Sequence, residues 1–214
     1  MLEIKRQTTV PTSWVEIKEA AKNGELRELL QLGDELPITL KTGEEVTLQL
    51  ADMTLGDRPC FVLKDCLRDE KQMNKRSTNE GGWEKCFLRE YLNETIFHML
   101  PDELQEIIVP RVIRQKLDGE TVETEDKLWL PSFTEMFGAD ADWAPADADD
   151  EQQFQLYKTE RSRVKECGDR GTWWYWLRSP HGSDSTFFCV VYSSGYASSY
   201  NASSSFGVAF GFCI

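Results

Sequence analysis

Residues 171–214 read GTWWYWLRSPHGSDSTFFCVVYSSGYASSYNASSSFGVAFGFCI. Two apolar runs within this stretch, FFCVV at 187–191 and GVAFGFCI at 207–214, are typical of buried strands. Between them, Tyr supplies rigid contact area while Ser, Gly and Asn supply adaptable hydrogen bonds, which is the composition of antibody-like binding loops. The pattern therefore predicts core strands that support a Ser/Tyr-rich binding surface over residues 181–206.

The aromatic run that precedes this surface allows two interpretations. A strand this rich in aromatic rings more often forms core or sheet face than a ligand platform. We therefore expect Trp173, Trp174 and Trp176 to be scaffold residues, with a ligand platform as the alternative.

Residues 179–214 contain no Lys, Glu, Gln, Met or Trp. The joint absence of Lys, Glu and Gln from a polar surface is unusual, because these are ordinary surface residues. The five missing amino acids are those with no codon ending in C or T. Randomising the first two bases of AAC or AAT codons would produce the set of amino acids found in residues 179–214. The alternative explanation is a Ser-rich low-complexity tail.

The motifs WLRSP, FCVV, GYA, ASSS and GVAFGFCI, taken together, resemble the C-terminal variable region of variable proteins that retroelements diversify in gut bacteria and their phages. Upstream, GGW at 81–83, LREYLN at 88–93 and SFTE at 132–135 extend the resemblance to residues 35–214. The resemblance implies an α+β, C-type lectin-like domain that presents side chains from its last strands and loops. In such systems an Asn-rich template is copied with errors at adenines, so former Asn positions vary.

Carried over by position, the resemblance divides the C-terminal region, about residues 175–206, into fixed and variable positions. The fixed residues are Trp176, Leu177, Arg178, Ser179, Pro180, Phe188, Cys189, Val191, Gly195, Ala197, Ala202, Ser203, Ser205 and 207–214. The candidate ligand-binding residues, called the variable set below, are His181, Ser183, Asp184, Ser185, Phe187, Val190, Tyr192, Ser193, Ser194, Tyr196, Ser198, Ser199, Tyr200, Asn201, Ser204 and Phe206. Tyr175 is either the first variable position or a fixed aromatic.

Charge restricts the class of ligand. The chain has a formal net charge of −13, and after Ser179 it carries no basic residue and a single acid, Asp184. An acidic body repels phosphate backbones and anionic lipids, so nucleic acid and membrane are not expected partners. A protein or a glycan is the expected ligand.

Residues 1–34 lie outside the resemblance and are interpreted as a helical appendage for docking or oligomerisation. Ser13 and Glu16 form a capping box that predicts a helix over 14–22, closed at Asn23 and Gly24, before a second short helix over 25–30. Neither a signal peptide nor an apolar run of membrane-spanning length is present. Synthesis in the cytoplasm is expected, with display on a phage particle or cell surface.

Local patterns predict the elements between residues 35 and 137. Alternating runs at 37–41 and 45–50 indicate a hairpin, and 60–64 indicates a third strand. Apolar spacing predicts a helix over 83–91, another short helix after Pro101, a strand near 109–115 and a capped helical turn from Ser132.

Two other functions compete with ligand binding by a variable surface. An enzyme of the formylglycine-generating type would share the fold, but it needs a reactive cysteine in a polar cleft. All six cysteines have apolar neighbours or lack CxxC spacing, so free core thiols are expected, with a Cys189–Cys213 bridge as the alternative. The five aspartates of residues 138–150 suggest a calcium-dependent glycan lectin, although the EF-hand pattern is missing. No catalytic, metal or cofactor motif is present, so neither an enzyme nor a cofactor is expected.

Overall fold

The computed structural model describes residues 11–53, 58–117, 119–138 and 152–214. Its helices are α1 (Trp14–Asn23), α2 (Leu26–Leu29), α3 (Phe87–Tyr91), α4 (Phe97–Met99), α5 (Asp102–Ile107), α6 (Phe133–Phe137) and α7 (Glu160–Arg163). Its strands are β1 (Glu35–Thr39), β2 (Glu45–Asp52), β3 (Cys60–Leu63), β4 (Lys71–Gln72), β5 (Arg111–Leu117), β6 (Glu120–Asp126), β7 (Tyr175–Pro180), β8 (Phe187–Val191), β9 (Ala197–Asn201), β10 (Ser205–Phe206) and β11 (Gly211–Cys213). The aspartate-rich segment considered for calcium lies outside these residues from position 139 onward.

Antiparallel pairing organises the strands into open sheets. One sheet has the order β1-β2-β3-β11, so the last strand of the chain joins the first three. A second sheet has the order β7-β8-β9, and β5–β6 and β10–β4 form two-stranded pairs. Helices with separate antiparallel sheets confirm the α+β class. The predicted hairpin and third strand are also confirmed, with Ile38 opposite Val46.

Helix α1 begins and ends where the sequence predicted. The Ser13 side chain accepts from the Glu16 amide, and Glu16 in turn accepts from the Thr12 amide at 2.7 Å. At the other end Gly24 adopts a φ of 75°, the left-handed conformation that glycine takes at little cost. The buried face of α1 places Trp14 edge-on to Phe61. The described N-terminal residues therefore pack against the β1–β3 sheet, while their role in docking stays a prediction.

The helix predicted over 83–91 is displaced. Residues 83–86 form a turn, because the amides of Phe87 and Leu88 donate to Asn74 Oδ1 at 3.0 Å and to the Met73 carbonyl at 3.1 Å rather than to residues 83 and 84. The Trp83 amide donates to Gln115 Oε1 and its indole to Asp126, each at 2.8 Å. Helix α3 then starts at Phe87 with Cys86 as its N-cap. A π-helical turn at Leu92–Ile96 carries the helix on into α4, beyond the predicted end.

A buried ionic cluster joins β7 to α6 and β5. Arg178 Nη1 donates to Glu135 Oε2 at 2.6 Å, and Arg111 pairs with the other carboxylate oxygen. Burial alone would raise the pKa of Glu135, but the two guanidinium groups outweigh it and hold the pKa below its ordinary value of 4.5. Glu135 also completes the predicted capping box of α6 with Ser132. The Glu135 carboxylate thus caps the start of α6 and links it to β5 and β7.

We predict that Glu135→Gln lowers the free energy of unfolding by about 3 kcal/mol at pH 7, because it leaves the buried Arg178 and the partly buried Arg111 without a counter-charge. The wild-type contribution is present above pH 4.5 and declines as the pH falls towards the depressed pKa of Glu135, so the difference between the proteins shrinks in acid. Urea unfolding at several pH values measures both effects.

The matched control for this change is Glu123→Gln, which breaks the solvent-exposed pair with Arg114. Exposed pairs contribute little, so its cost should stay below about 1 kcal/mol. Equal losses from the two substitutions would contradict the role given to Glu135.

Disulfides correct the expectation of free cysteines. Cys60 pairs with Cys213 across β3 and β11, and Cys66 pairs with Cys167. Cys86 and Cys189 are buried and lie outside these two bridges. The alternative bridge from Cys189 to Cys213 is therefore wrong as well, since Cys213 lies opposite Cys60 in the sheet. The apolar neighbours of these cysteines signalled burial correctly but carried no information about partners.

We predict that peptide mapping without reductant recovers these two linkages and that Cys86 and Cys189 react with an alkylating agent only after denaturation. The loops closed by the bridges span 153 and 101 residues, so reduction should cost about 4 kcal/mol of unfolding free energy for each bridge. Alkylation of all six cysteines in the unreduced, unfolded protein would exclude both bridges.

Candidate ligand-binding surface

Strands β7, β8 and β9 form a layered support for the variable set. All residues of β7 are buried, and β8 is buried from Phe188 to Val191. Strand β9 lies at the edge of the sheet, and its residues are half-buried or exposed. Burial therefore decreases from β7 through β8 to β9. Most residues of the variable set lie on β9 and on the loops that connect the strands.

The variable set divides by exposure. Six of its side chains are exposed, namely Ser183, Ser185, Tyr192, Ser194, Tyr196 and Tyr200. Eight are half-buried, namely His181, Asp184, Phe187, Ser193, Ser198, Ser199, Asn201 and Ser204. Two are buried, Val190 and Phe206.

Val190 and Phe206 correct the predicted surface. Val190 has no exposed area because it lies on the central strand, opposite Trp176 on one side and Ser198 on the other. Phe206 is 8% exposed and packs with its ring centroid 5.1 Å from that of Trp176. The two positions belong to the core that supports the surface. Tyr175, which the sequence left open, is a fully buried aromatic.

Five aromatic side chains form one connected group, called the aromatic patch below. Its members are Trp174, Phe187, Tyr192, Tyr200 and Phe206. The indole of Trp174 lies 4.6 Å from Tyr192 and 5.5 Å from Tyr200 between ring centroids, and Tyr200 lies 6.3 Å from Phe187. Tyr192 and Tyr200 are 40% and 42% exposed. The patch therefore reaches from the core to solvent without a break.

A tight turn carries the tyrosines at the tip of the β8–β9 hairpin. The Tyr192 amide donates to the Tyr196 carbonyl at 2.8 Å, and Gly195 adopts a φ of 87°. A side chain at Gly195 would collide with the Glu160 carbonyl oxygen, and Arg163 Nε donates to the Gly195 carbonyl at 2.9 Å. Tyr196 is 55% exposed, and its hydrogen bond to the Glu160 carboxylate raises the pKa of its hydroxyl. Only glycine satisfies both the turn and the approach of α7.

The loop before β8 is ordered by side chains on either side of it. His181 Nδ1 accepts from the Asp184 amide at 3.0 Å, and Asp184 accepts from the hydroxyl and amide of Thr186, which lowers the pKa of Asp184. From the other side, the amide group of Asn79 donates to the carbonyls of Asp184 and Phe187, each at 2.8 Å. Asn79 thus holds the backbone of this loop, although it lies more than 100 residues earlier in the sequence.

This loop borders an open cleft of about 950 Å³. One wall consists of residues 180–185, which include the variable-set residues His181, Ser183, Asp184 and Ser185. The other wall comes from the turn at 79–85 and the β5–β6 hairpin. Glu84, Lys85 and Lys116 are among the charged groups on the second wall. A ligand that contacts the loop before β8 would also reach these side chains.

Sequence reasoning missed the residues that position the surface from outside the last 40 positions. Asn79, Glu160 and Arg163 support it through contacts that close only in the folded chain. Trp174 was assigned to the scaffold, whereas the structure leaves it half-buried within the aromatic patch. No spacing rule links these residues to the variable set, so sequence alone offered no signal for them.

The two cysteines outside the disulfides, Cys86 and Cys189, are buried. Cys86 is 2% exposed, and burial raises the pKa of its thiol to about 12, which opposes thiolate formation. Cys189 is fully buried within β8. Within the described residues, no group of three His, Cys, Asp or Glu side chains is arranged to hold a metal ion.

The fold and the surface define an α+β protein with open antiparallel sheets and a half-exposed aromatic patch on its last strands. In the described part of the chain, no helix has the length and apolar character needed to cross a bilayer. Residues 57–214 match a family described as a domain of unknown function, DUF6273, and the chain belongs to this family. No curated protein and no solved structure matches the chain significantly.

We predict that Tyr196→Ala changes the free energy of unfolding by about 0.5 kcal/mol, because the side chain is mostly outside the core. Phe206→Ala should cost about 3 kcal/mol, because it removes a buried ring from contact with Trp174 and Trp176. Thermal and urea denaturation measure both. A Tyr196→Ala loss as large as that of Phe206→Ala would make Tyr196 a core residue and remove it from the surface.

Proposed function

We propose that the chain is a ligand- or receptor-binding protein whose C-terminal surface is diversified by retroelement mutagenesis. The observation that carries the proposal is that, in the segment with a restricted codon alphabet, every Ser and Tyr side chain from Ser183 to Ser204 is half-buried or exposed, on edge strand β9 or in the loops around β8 and β9. Diversification is tolerated only where packing is not disturbed. The buried residues Phe188–Val191 of β8 pair with this strand and support it.

Apart from Ala197, Ser203 and Ser205, the fixed positions are buried, as such a system requires. Arg178 and Ser179 are buried, and Ser179 Oγ accepts from the Phe133 amide at 2.8 Å, so the WLRSP motif holds α6 rather than ligand. Gly195 is required by its turn. Substitutions at neighbouring Ser and Tyr positions would leave these contacts intact.

The finer fold assignment is part of the proposal. A C-type lectin-like domain follows from the motif resemblance, and two features support it. The final strand β11 returns to the sheet formed by β1, β2 and β3, and the second sheet, β7–β9, is built from the variable region. Edge strand β9 thus belongs to a scaffold that also includes the final strand of the chain.

The ligand is a protein or a glycan outside the reducing cytoplasm. Two disulfides are typical of proteins that function in an oxidising environment, which supports display on a phage particle or cell surface. Tyr192, Tyr196 and Tyr200 supply large contact areas with few rotatable bonds, so each loses little conformational entropy on binding. The serines around them supply adaptable polar contacts.

Deep sequencing of the 3′ end of the gene in a population of the source organism tests the proposal. We predict substitutions at the first two bases of codons for exposed members such as Tyr192, Tyr196 and Tyr200, with C or T kept as the third base. A near-copy carrying AAC or AAT at these positions should lie beside a reverse transcriptase gene. At Val190 and Phe206, variants should be restricted to apolar residues, since both side chains are buried.

Codons for Trp176, Arg178 and Gly195 are the internal control, because the structure requires each residue. Substitutions spread evenly over all codon positions, or equally frequent at these three residues, would contradict diversification.

A further inference from the structure

Trp174 lies in the middle of the proposed binding surface but outside the variable set. Tryptophan has no codon ending in C or T, so an AAC or AAT template cannot produce it. Its indole is half-buried and has contacts with Tyr192, Tyr200 and Phe206 at centroid distances of 4.6, 5.5 and 5.5 Å. A fixed ring is thus surrounded by residues that the proposed mechanism changes.

The backbone of Trp174 is held in place from the core side. The Gly207 amide donates to the Trp174 carbonyl at 3.0 Å, and the Trp176 amide donates to the Gly207 carbonyl at 3.1 Å. Gly207 in turn lies against the Cys66–Cys167 disulfide, because a side chain there would collide with both sulfur atoms. A ring on a rigid backbone loses little entropy when a ligand binds.

We infer that Trp174 is a fixed contact residue that the diversified surface uses for every protein ligand it binds. This inference rests on the proposed function. Replacement of Tyr192 or Tyr200 by serine removes a ring that packs against the indole and exposes more of the indole. The area that Trp174 offers to a ligand is therefore largest in variants that lack the ring of Tyr192 or Tyr200. Tryptophan is also enriched among the interface residues that dominate binding energy.

The geometry favours a protein over a glycan as the ligand. Phe206 is nearly parallel to the indole, at 22° and 5.5 Å, so it forms an offset stack on one face. Tyr192 lies tilted at 59° and 4.6 Å. A sugar ring stacks on an open aromatic face, whereas an apolar or basic side chain can insert beside a partly covered ring. The net charge of −13 adds a preference for protein ligands with basic groups.

The experiment uses libraries built in the full chain, with the exposed members of the variable set randomised and Trp174 retained. The libraries are selected on immobilised lysozyme, a basic protein, and in parallel on a glycan array. In each of about ten independent lysozyme binders, Trp174→Ala should weaken the Kd about tenfold or more. Trp173→Ala is the matched control, since that ring packs under Arg170 rather than in the aromatic patch. Its effect should stay below about threefold.

The outcomes separate the inference from the function on which it rests. If folded binders tolerate Trp174→Ala as well as Trp173→Ala, the inference is wrong and the proposed function stands. If folded libraries yield no binder to either probe, the proposed function fails. Binders that depend on Trp174 for glycans but not for lysozyme would overturn the assignment of a protein ligand. Circular dichroism checks folding, and Trp174→Leu, which keeps an apolar side chain on the core side, replaces Trp174→Ala where that variant does not fold.

Discussion

Arg178 donates to Glu135 and to the Leu130 carbonyl from a position that is 1% exposed. The same carboxylate caps the first turn of α6 and pairs with Arg111, so β5, α6 and β7 meet at one buried charge. An unpaired charge in this position would be costly, and that cost excludes arrangements in which β7 shifts along its axis. Strand β8 pairs with β7, and β9 pairs with β8, so the position of edge strand β9 depends on this cluster.

The sequence predicted the elements that are determined by neighbouring residues. Ser13 and Gly24 fix the ends of α1, and alternation fixes the β1–β2 hairpin, because these signals act over a few residues. The start of α3 was misplaced because the amides of Phe87 and Leu88 donate to Asn74 and to the Met73 carbonyl rather than to residues 83 and 84. Those hydrogen bonds exist only after residues 73 and 74 have packed against the start of α3.

The binding surface likewise combines features that local sequence patterns predict with features that depend on contacts between distant residues. The restricted alphabet indicated the segment that we propose to vary, and within it Tyr192, Tyr196 and Tyr200 are exposed. Alternation did not distinguish Val190 from its neighbours, because β8 is covered on both faces and its alternation of polar and apolar residues is lost. The disulfide partners and the support from Asn79 join residues at least 100 positions apart, so no local pattern could have given them.

A surface that must change its side chains requires a backbone that does not depend on them. Strand β9 meets this need because it pairs with one neighbour and its hairpin turn is set by Gly195 and Arg163. Its side chains are half-buried or exposed, so a serine and a tyrosine would both be tolerated there. The aromatic patch is the exception, since Tyr200 contacts both Phe187 and Phe206. A substitution at Tyr200 would therefore also change the packing of Phe206, and the stability supplied by the buried ionic cluster and the disulfides would offset its cost.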